Sequence, residues 1–549
     1  KKVVGALSCL GLTCMLAFQG QEQLPAFVTT NRLWGKSDEL AVASWNMAAI
    51  NNNPFEYWLS LDNAHYDSVM NEVQAFITDP GDRDIRVDQV FTSDMMDELV
   101  RAMTSHKHFE KEAIDATIEV WEKDFRSRRI VSRFIKDGSL GKKRLTSMPD
   151  RVTNTIALKD ETFAYRPTVI NCFSEPLDTM DEWWQLWKAF MFEASIDTVK
   201  VGKVVPADML AKIPRAKYPD LTVGEERISI PLQTLTCAIF DAILVHMLNT
   251  LDAELVASSA GADTGEVQSW QGLRSQICQN LNLRKNDRIL EIIKDSYMDR
   301  DVVCLQEVAG AFIKRAEGDH TITNSFHVVA PSKRSRSDQN SVLLLSKKMF
   351  NYATLKEVTD ELVYDDPSAI ASGDVVLVRV LDKTGRTFII GSFHGDTNGL
   401  ATIPLVTAVS ELVMPGENLL LGLDANTYEK GIPNKKQDVL EFAEKYGELG
   451  LDSCWGPKPN PKNYTTFNAR TYLQPQLNKA SSKAEIRAKG DVNPKDFILF
   501  KAGGFSVLKV GKDNTGNREY VEGLVFPTLE FPSDHGILSA LFDLSSAEL

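Results

Sequence analysis

The sequence predicts an α/β fold split by a large helical insertion, and three patterns carry that prediction. Through residues 286–549, short apolar or β-branched runs bounded by turn residues alternate with segments of helical periodicity, as when strands and helices share one sheet system. One more buried-strand run lies far upstream, within 39–53. Between the two, residues 54–285 carry long amphipathic repeats at helical spacing and little strand-like alternation. The reading divides the chain into a leader and linker over 1–38, an α/β domain assembled from 39–53 and 286–549, and a helical insertion domain over 54–285.

Composition bounds this reading. At 549 residues the chain has room for two to four domains of about 100–200 residues. Its 43% hydrophobic and 25% charged residues are ordinary for globular proteins. A net charge of -14 argues against sequence-blind grip on duplex nucleic acid, which needs clustered cations, but not against an enzyme that holds one phosphate through a metal ion. The seven cysteines, two of them (Cys9 and Cys14) in the leader, show no CxxC or zinc-type spacing, so neither a zinc site nor a disulfide framework is demanded. Lys1-Lys2 followed by the apolar run Val3 to Phe18 has the form of a signal peptide or signal anchor. The expected location is therefore the secretory pathway, an organelle or a membrane anchor, with the cytoplasm as the alternative.

In chain order, Glu39 to Trp45 reads as a buried strand that ends at Asn46 in a loop rich in turn residues. In the insertion, Phe109 to Lys136 reads as one helical pattern, Asp181 to Phe192 as an aromatic core helix and Leu232 to Leu251 as a helix apolar almost all round. His106 and His108 read as surface. Arg288 to Tyr297 is helix-like and leads into a strand, Asp301 to Val308, whose exit carries Glu307. Strands follow at Phe326 to Ala330, Val342 to Leu345, Val375 to Val380 and Thr387 to Phe393, the last ending at His394. Lys333, Arg334 and Arg336 form a local cationic run suited to facing a phosphate. A helix near 401–413, a strand from Asn418 ending at Asp424 and Asn426, and a helix near 436–446 come next. The strand opening at Asp496, another at Phe505 to Val510, and the loop carrying Asp534-His535 complete the chain.

Strand ends thus collect Asn46, Glu307, His394, Asp424, Asn426, Asp496, Asp534 and His535, a set rich in carboxylates and free of Cys. Hard oxygen donors of this kind suit Mg²⁺, or Mn²⁺, held together with a substrate phosphate. The chemistry that follows is metal-assisted attack of water on phosphorus.

The motifs and their order resemble the endonuclease/exonuclease/phosphatase superfamily, the deoxyribonuclease-I-like fold. Ser44-Trp45-Asn46 resembles its first motif, Leu305-Gln306-Glu307-Val308 its metal-binding glutamate motif, and Gly422-Leu423-Asp424-Ala425-Asn426 its Gly-Asp-x-Asn motif with one residue inserted. Asp496-Phe497-Ile498-Leu499 and Ser533-Asp534-His535 resemble its last two motifs. The resemblance spans residues 40–50 and 286–543, and implies a four-layer sandwich of two packed mixed sheets flanked by helices. It implies that Glu307 binds the metal with help from Asn46, and from Asp534 through water. It also implies that Asp496 orients His535 at the phosphate, that Asp424 positions the attacking water, and that Asn426 steadies the phosphorane. His394 matches a second histidine near the leaving group, and which histidine acts as acid and which as base stays open.

The insertion has no counterpart in the resemblance and is open to a role as lid, substrate domain or docking surface. Asn493-Pro494-Lys495-Asp496-Phe497 lacks the Trp-Cys-Asp-Arg signature of the inositol-phosphate branch. The expected substrate is a phosphodiester in nucleic acid or a nucleotide. A phospholipid or other small phosphate ester is the alternative, with membrane association through the N-terminal segment favouring it. The alternative of another class is a non-catalytic scaffold working through the insertion.

Overall fold

The computed structural model describes residues 38–199, 201–259, 269–334, 339–364, 370–475 and 490–545. The leader and Arg336 lie outside the described residues. Twelve strands build two six-stranded sheets: β1 (Glu39–Asn46), β2 (Val302–Val308), β3 (Phe326–Val329), β4 (Asn340–Ser346), β5 (Phe350–Glu357), β6 (Val375–Asp382), β7 (Thr387–His394), β8 (Asn418–Asp424), β9 (Leu451–Ser453), β10 (Asp496–Lys501), β11 (Ser506–Asp513) and β12 (Ile537–Asp543). The first sheet runs β11-β12-β1-β2-β4-β3 and the second β9-β10-β8-β7-β6-β5. Each holds one parallel pair, β1 with β2 and β7 with β8, so both sheets are mixed.

Near-continuous apolar runs make the central strands β1, β2, β4, β7 and β8 buried on both faces, which a sheet achieves only when covered twice. The inner faces meet through Val42, Cys304 and Leu343 of one sheet and Val378, Ile390 and Ile498 of the other. Outside the first sheet pack α-helices at Lys285–Ser296 and Gly310–Gly318, through Ile289, Ile293 and Phe312. Outside the second pack Thr402–Leu412 and Val439–Glu448, through Leu405, Val409 and Phe442. The result is the helix-sheet-sheet-helix sandwich expected. Gly422 permits close approach of the two sheets: a Cβ there would stand 2.5 Å from Cys304 Cβ and 2.9 Å from Ser44 Oγ.

The helical segment packs a further core around Trp183, Trp184 and Trp187 of the helix Met180–Phe192 and around Ser229–Ser259, which Ala469, Tyr472 and Leu473 also join. Residues Ser229–Ala257 are long and apolar enough to cross a membrane by length and composition, yet 83% of their most apolar stretch is buried inside the protein. That burial accounts for a helix apolar all round without a membrane. At its centre the buried Arg166 guanidinium binds Asp241 at 2.7 Å and Asp150 at 2.9 Å, while Trp187 Nε1 also donates to Asp241, at 2.9 Å.

Two sequence expectations are corrected, for the helix after Phe109 and for His106 and His108, and a disulfide and one strand are added. The single helix over Phe109 to Lys136 stops at Lys123, and a 3-10 turn and a π-turn at Ile130–Ile135 follow. The reason is tertiary: Arg129 bridges Arg86, and Ile130 N–H donates to the Ile85 carbonyl, so that backbone is committed elsewhere. A disulfide joins Cys172 to Cys278. His106 and His108 are half-buried, with Nε2 2.9 Å from the Phe192 carbonyl and 2.6 Å from the Leu210 carbonyl. Strand β5, largely exposed along an edge, carried no alternation to reveal it.

Candidate active site

Sheet register brings the polar strand ends to one edge of the sandwich. His394 pairs with Asp424 across the parallel β7/β8 ladder, and Asp424 with Asp496 across β8/β10. In the other sheet Asn46 pairs with Gln306, next to Glu307, and Ser44 faces Leu538 just past His535. The edges then join across the sandwich, where Asn46 Nδ2 donates to Glu307 Oε1 at 3.0 Å and to Asp424 Oδ2 at 2.8 Å. The closing loop is tied to the first motif, because Ser533 Oγ donates to the Asn46 carbonyl at 2.7 Å and accepts the His535 N–H at 3.0 Å. Trp45 Nε1 donates to the His535 carbonyl at 3.1 Å.

Seven predicted residues therefore converge. Glu307 Oε1 lies 3.1 Å from His394 Nε2, and Glu307 Oε2 accepts the Ala49 N–H at 2.7 Å. His535 Nδ1 lies 2.9 Å from Asp496 Oδ2, and its Nε2 lies 3.7 Å from Asp424 Oδ2. Asn426 Nδ2 donates to the Gly395 carbonyl at 2.9 Å. Glu307 and Asn426 hold left-handed backbone, with φ of 53° and 49°. For a glutamate that is uncommon, and such outliers gather where surroundings fix a side chain's aim. Asp534 sits at the margin, its Oδ2 accepting from Tyr57 OH at 3.0 Å and from Asn468 Nδ2 at 3.4 Å.

Lys333 and Arg334 do not join the cluster. Lys333 is exposed and pairs with Asp360 at 2.8 Å, and Arg334 lies 3.5 Å from Glu317. Asn46 turns its amide nitrogen to both carboxylates and gives its Oδ1 to the Ala48 N–H, so a ligand role for that oxygen requires the amide turned over.

Electrostatics follow from the crowding of carboxylates. Burial works against a charged Glu307, yet the His394 charge and hydrogen bond, with Asn46 and the Ala49 N–H, hold its carboxyl far below the usual range. Burial likewise opposes the His394 and His535 cations. Glu307 outweighs it at His394, pushed up to about 9, and Asp496 with Asp424 at His535, pushed up to about 10.

The donor set fits a hard divalent ion. Ligand atoms of Glu307, His394 and Asp424 lie within 4.8 Å of one another, as do those of Asp424, Asp496 and His535. In this structure these carboxylates are met by the two histidines, His394 against Glu307 and His535 against Asp496.

Sequence reasoning missed three neighbours. Tyr57, from the first residues of the insertion, reaches Asp534, and no motif announces it. Lys495, buried beside Asp496, donates to Asn426 Oδ1 at 2.8 Å and pairs with Asp491. Its place before a motif aspartate was the available signal. Lys285, buried at the start of Lys285–Ser296, donates to the Ala49 carbonyl at 3.2 Å.

Comparison with known proteins adds the following. A family described as a domain of unknown function (DUF8234) matches residues 84–257, inside the helical insertion. No curated protein matches the sequence. Among solved structures, truncated Caenorhabditis elegans TDP2 is 15% identical with a TM-score of 0.29, over 48% of this chain and 92% of that one. The human Nocturnin catalytic domain is 16% identical with a TM-score of 0.31, over 47% and 86%. An endonuclease/exonuclease/phosphatase from Bacteroides vulgatus is 15% identical with a TM-score of 0.31, over 49% and 92%, so the chain is similar to these proteins through about half of its own length.

Proposed function

We propose that the chain is a divalent-metal-dependent phosphoesterase that hydrolyses a phosphodiester, in nucleic acid or a nucleotide. The observation that carries this reading is the meeting of two sheet edges, where the Asn46 amide ties Glu307 to Asp424 and the Asp496-bound His535 brings Nε2 to 3.7 Å from Asp424. Glu307 and Asp424 would hold Mg²⁺ or Mn²⁺, with His394 and Asp534 at its margin. When bound, such an ion neutralises phosphate charge and polarises phosphorus toward attack.

The chain's own groups supply the rest. Asp496 holds His535 Nδ1–H, which leaves Nε2 turned toward Asp424 and the space where the phosphate belongs. Asp424 Oδ2 is placed to orient water, and Asn426 to steady negative charge on the phosphoryl oxygens. His394 Nε2 also lies 3.7 Å from Asp424 Oδ2, as a second histidine to serve the leaving oxygen.

Hydrolysis of bis(p-nitrophenyl) phosphate with and without Mg²⁺ tests the reading. Wild type is expected to require the metal, and Glu307→Ala and His535→Ala each to lose roughly a thousandfold in kcat/KM. Activity indifferent to both substitutions contradicts it. Single-stranded DNA, RNA, dinucleotides and sphingomyelin vesicles, run side by side, sort nucleic-acid from lipid substrates.

A further inference from the structure

Beside the catalytic centre the insertion and the sandwich enclose a slot of about 50 Å³, lined by Ala49, Tyr57, Leu281, Lys285, Pro532 and Asp534 among others. Leu59 and Ile277 close its insertion side. Lys285 is the one cation among the residues lining the slot, and it is only 4% exposed. Its ammonium has three donors. Among the described residues it makes one hydrogen bond, to the Ala49 carbonyl, and no carboxylate lies within ion-pairing distance. A buried, underused ammonium is costly unless something anionic meets it. Burial pushes Lys285 down to about 8, against the more distant pull of Asp534 and Glu307.

Position and size say what that anion is. The Ala49 peptide donates its N–H to Glu307 and accepts Lys285 at its carbonyl, so one residue separates the ammonium from the carboxylate proposed to hold the metal. At roughly 10–15 Å³ per water, 50 Å³ holds about three to five waters, which is room for a phosphoryl group but too little for a nucleobase or an acyl chain. We infer that Lys285 is the cation of an oxyanion subsite that takes a second phosphoryl group of the substrate, next to the phosphate that is cleaved. The substrate so described is a polyphosphorylated ester, such as an oligonucleotide or a nucleotide carrying a further phosphate. Assignment to a substrate rests on the phosphoesterase reading, whereas anion binding at Lys285 does not.

The test separates the two. Inorganic phosphate is titrated calorimetrically into the metal-free full chain in the presence of a chelator, where His394, His535 and Lys495 are paired with Glu307, Asp496 and Asp491 and, among the described residues, Lys285 is paired with no carboxylate. Saturable binding on the order of millimolar is expected, about tenfold or more weaker in Lys285→Met and within about threefold of wild type in Lys285→Arg. Equal phosphate binding by Lys285→Met, with its circular dichroism unchanged, overturns the inference, as does absence of binding to wild type. In the second arm the p-nitrophenyl ester of thymidine 5′-phosphate is compared with its 3′-phosphorylated form. Lys285→Met is expected to raise KM about tenfold for the second alone and to leave kcat unchanged. A chain that binds phosphate through Lys285 yet hydrolyses neither ester refutes the phosphoesterase reading and leaves the subsite standing.

Discussion

Two buried polar clusters of this molecule invite comparison, one in the insertion and one at the sandwich edge. In the insertion Arg166 lies between Asp241 and Asp150, all three sealed from solvent or nearly so, and the remaining acceptor capacity of Asp241 is met by Thr168 and Trp187. That cluster is closed, with a fixed cation already in the chain. At the sandwich edge, among the described residues, Glu307, Asp424 and Asp496 are met by two histidines while the nearby Lys495 pairs with Asp491, and Glu307 and His394 keep 18% and 17% of their side chains exposed. A cluster that completes itself is structural, whereas one short of positive charge and open on one side suits the cation that the proposed function places there.

The comparison can be broken at several points. The largest effect is expected for Glu307→Ala, whose thousandfold loss of hydrolysis should come with little loss of folding stability. Arg166→Met should do the reverse: removing the cation leaves Asp241 and Asp150 buried without it, costing about 3–5 kcal/mol in urea or thermal unfolding. If Arg166→Met instead lowers kcat in a chain that remains folded, the two clusters are not independent.

Lys285→Met sharpens the contrast through the sign of its effect. A lysine held at about 8 in the folded chain and near 10.5 unfolded costs stability below about pH 8, by about 3 kcal/mol at about 1.4 kcal/mol per unit, and nothing above about 10.5. The variant should therefore unfold at a higher temperature than wild type at pH 7, and the gap should close as pH rises from about 8 to 10.5. A variant less stable than wild type at pH 7 would show that the ammonium is already satisfied. The smallest effect belongs to Lys333→Ala and Arg334→Ala, surface pairs away from the cluster, with kcat/KM expected within about twofold of wild type.

The half of the site that was legible in the sequence is the half made by sheets. Strand ends fall at fixed register, so a carboxylate or imidazole at the end of an apolar run, as at Glu307, His394 and Asp424, is already placed on the edge where its neighbours end. Residues that arrive from elsewhere leave no such mark. Tyr57 comes in on the first segment of the insertion, Lys285 at a helix start, and Cys172 meets Cys278 across a separation of 106 residues. The cationic run at Lys333 and Arg334 is a related case, because charge density in sequence says nothing of the acidic partners, Asp360 and Glu317, that the fold supplies. The break at Lys123 belongs to the same class, because the backbone of Arg129 and Ile130 is claimed by Arg86 and Ile85 rather than by its own helix.

The central claim is that the carboxylates at the sandwich edge are arranged to hold a divalent ion, and direct titration with Mn²⁺, followed by electron paramagnetic resonance, tests it without any substrate. Wild type is expected to bind the ion saturably, Glu307→Ala about tenfold or more weaker, and Arg166→Lys as wild type. Binding of equal strength by a folded Glu307→Ala chain, or none by wild type, would contradict the account.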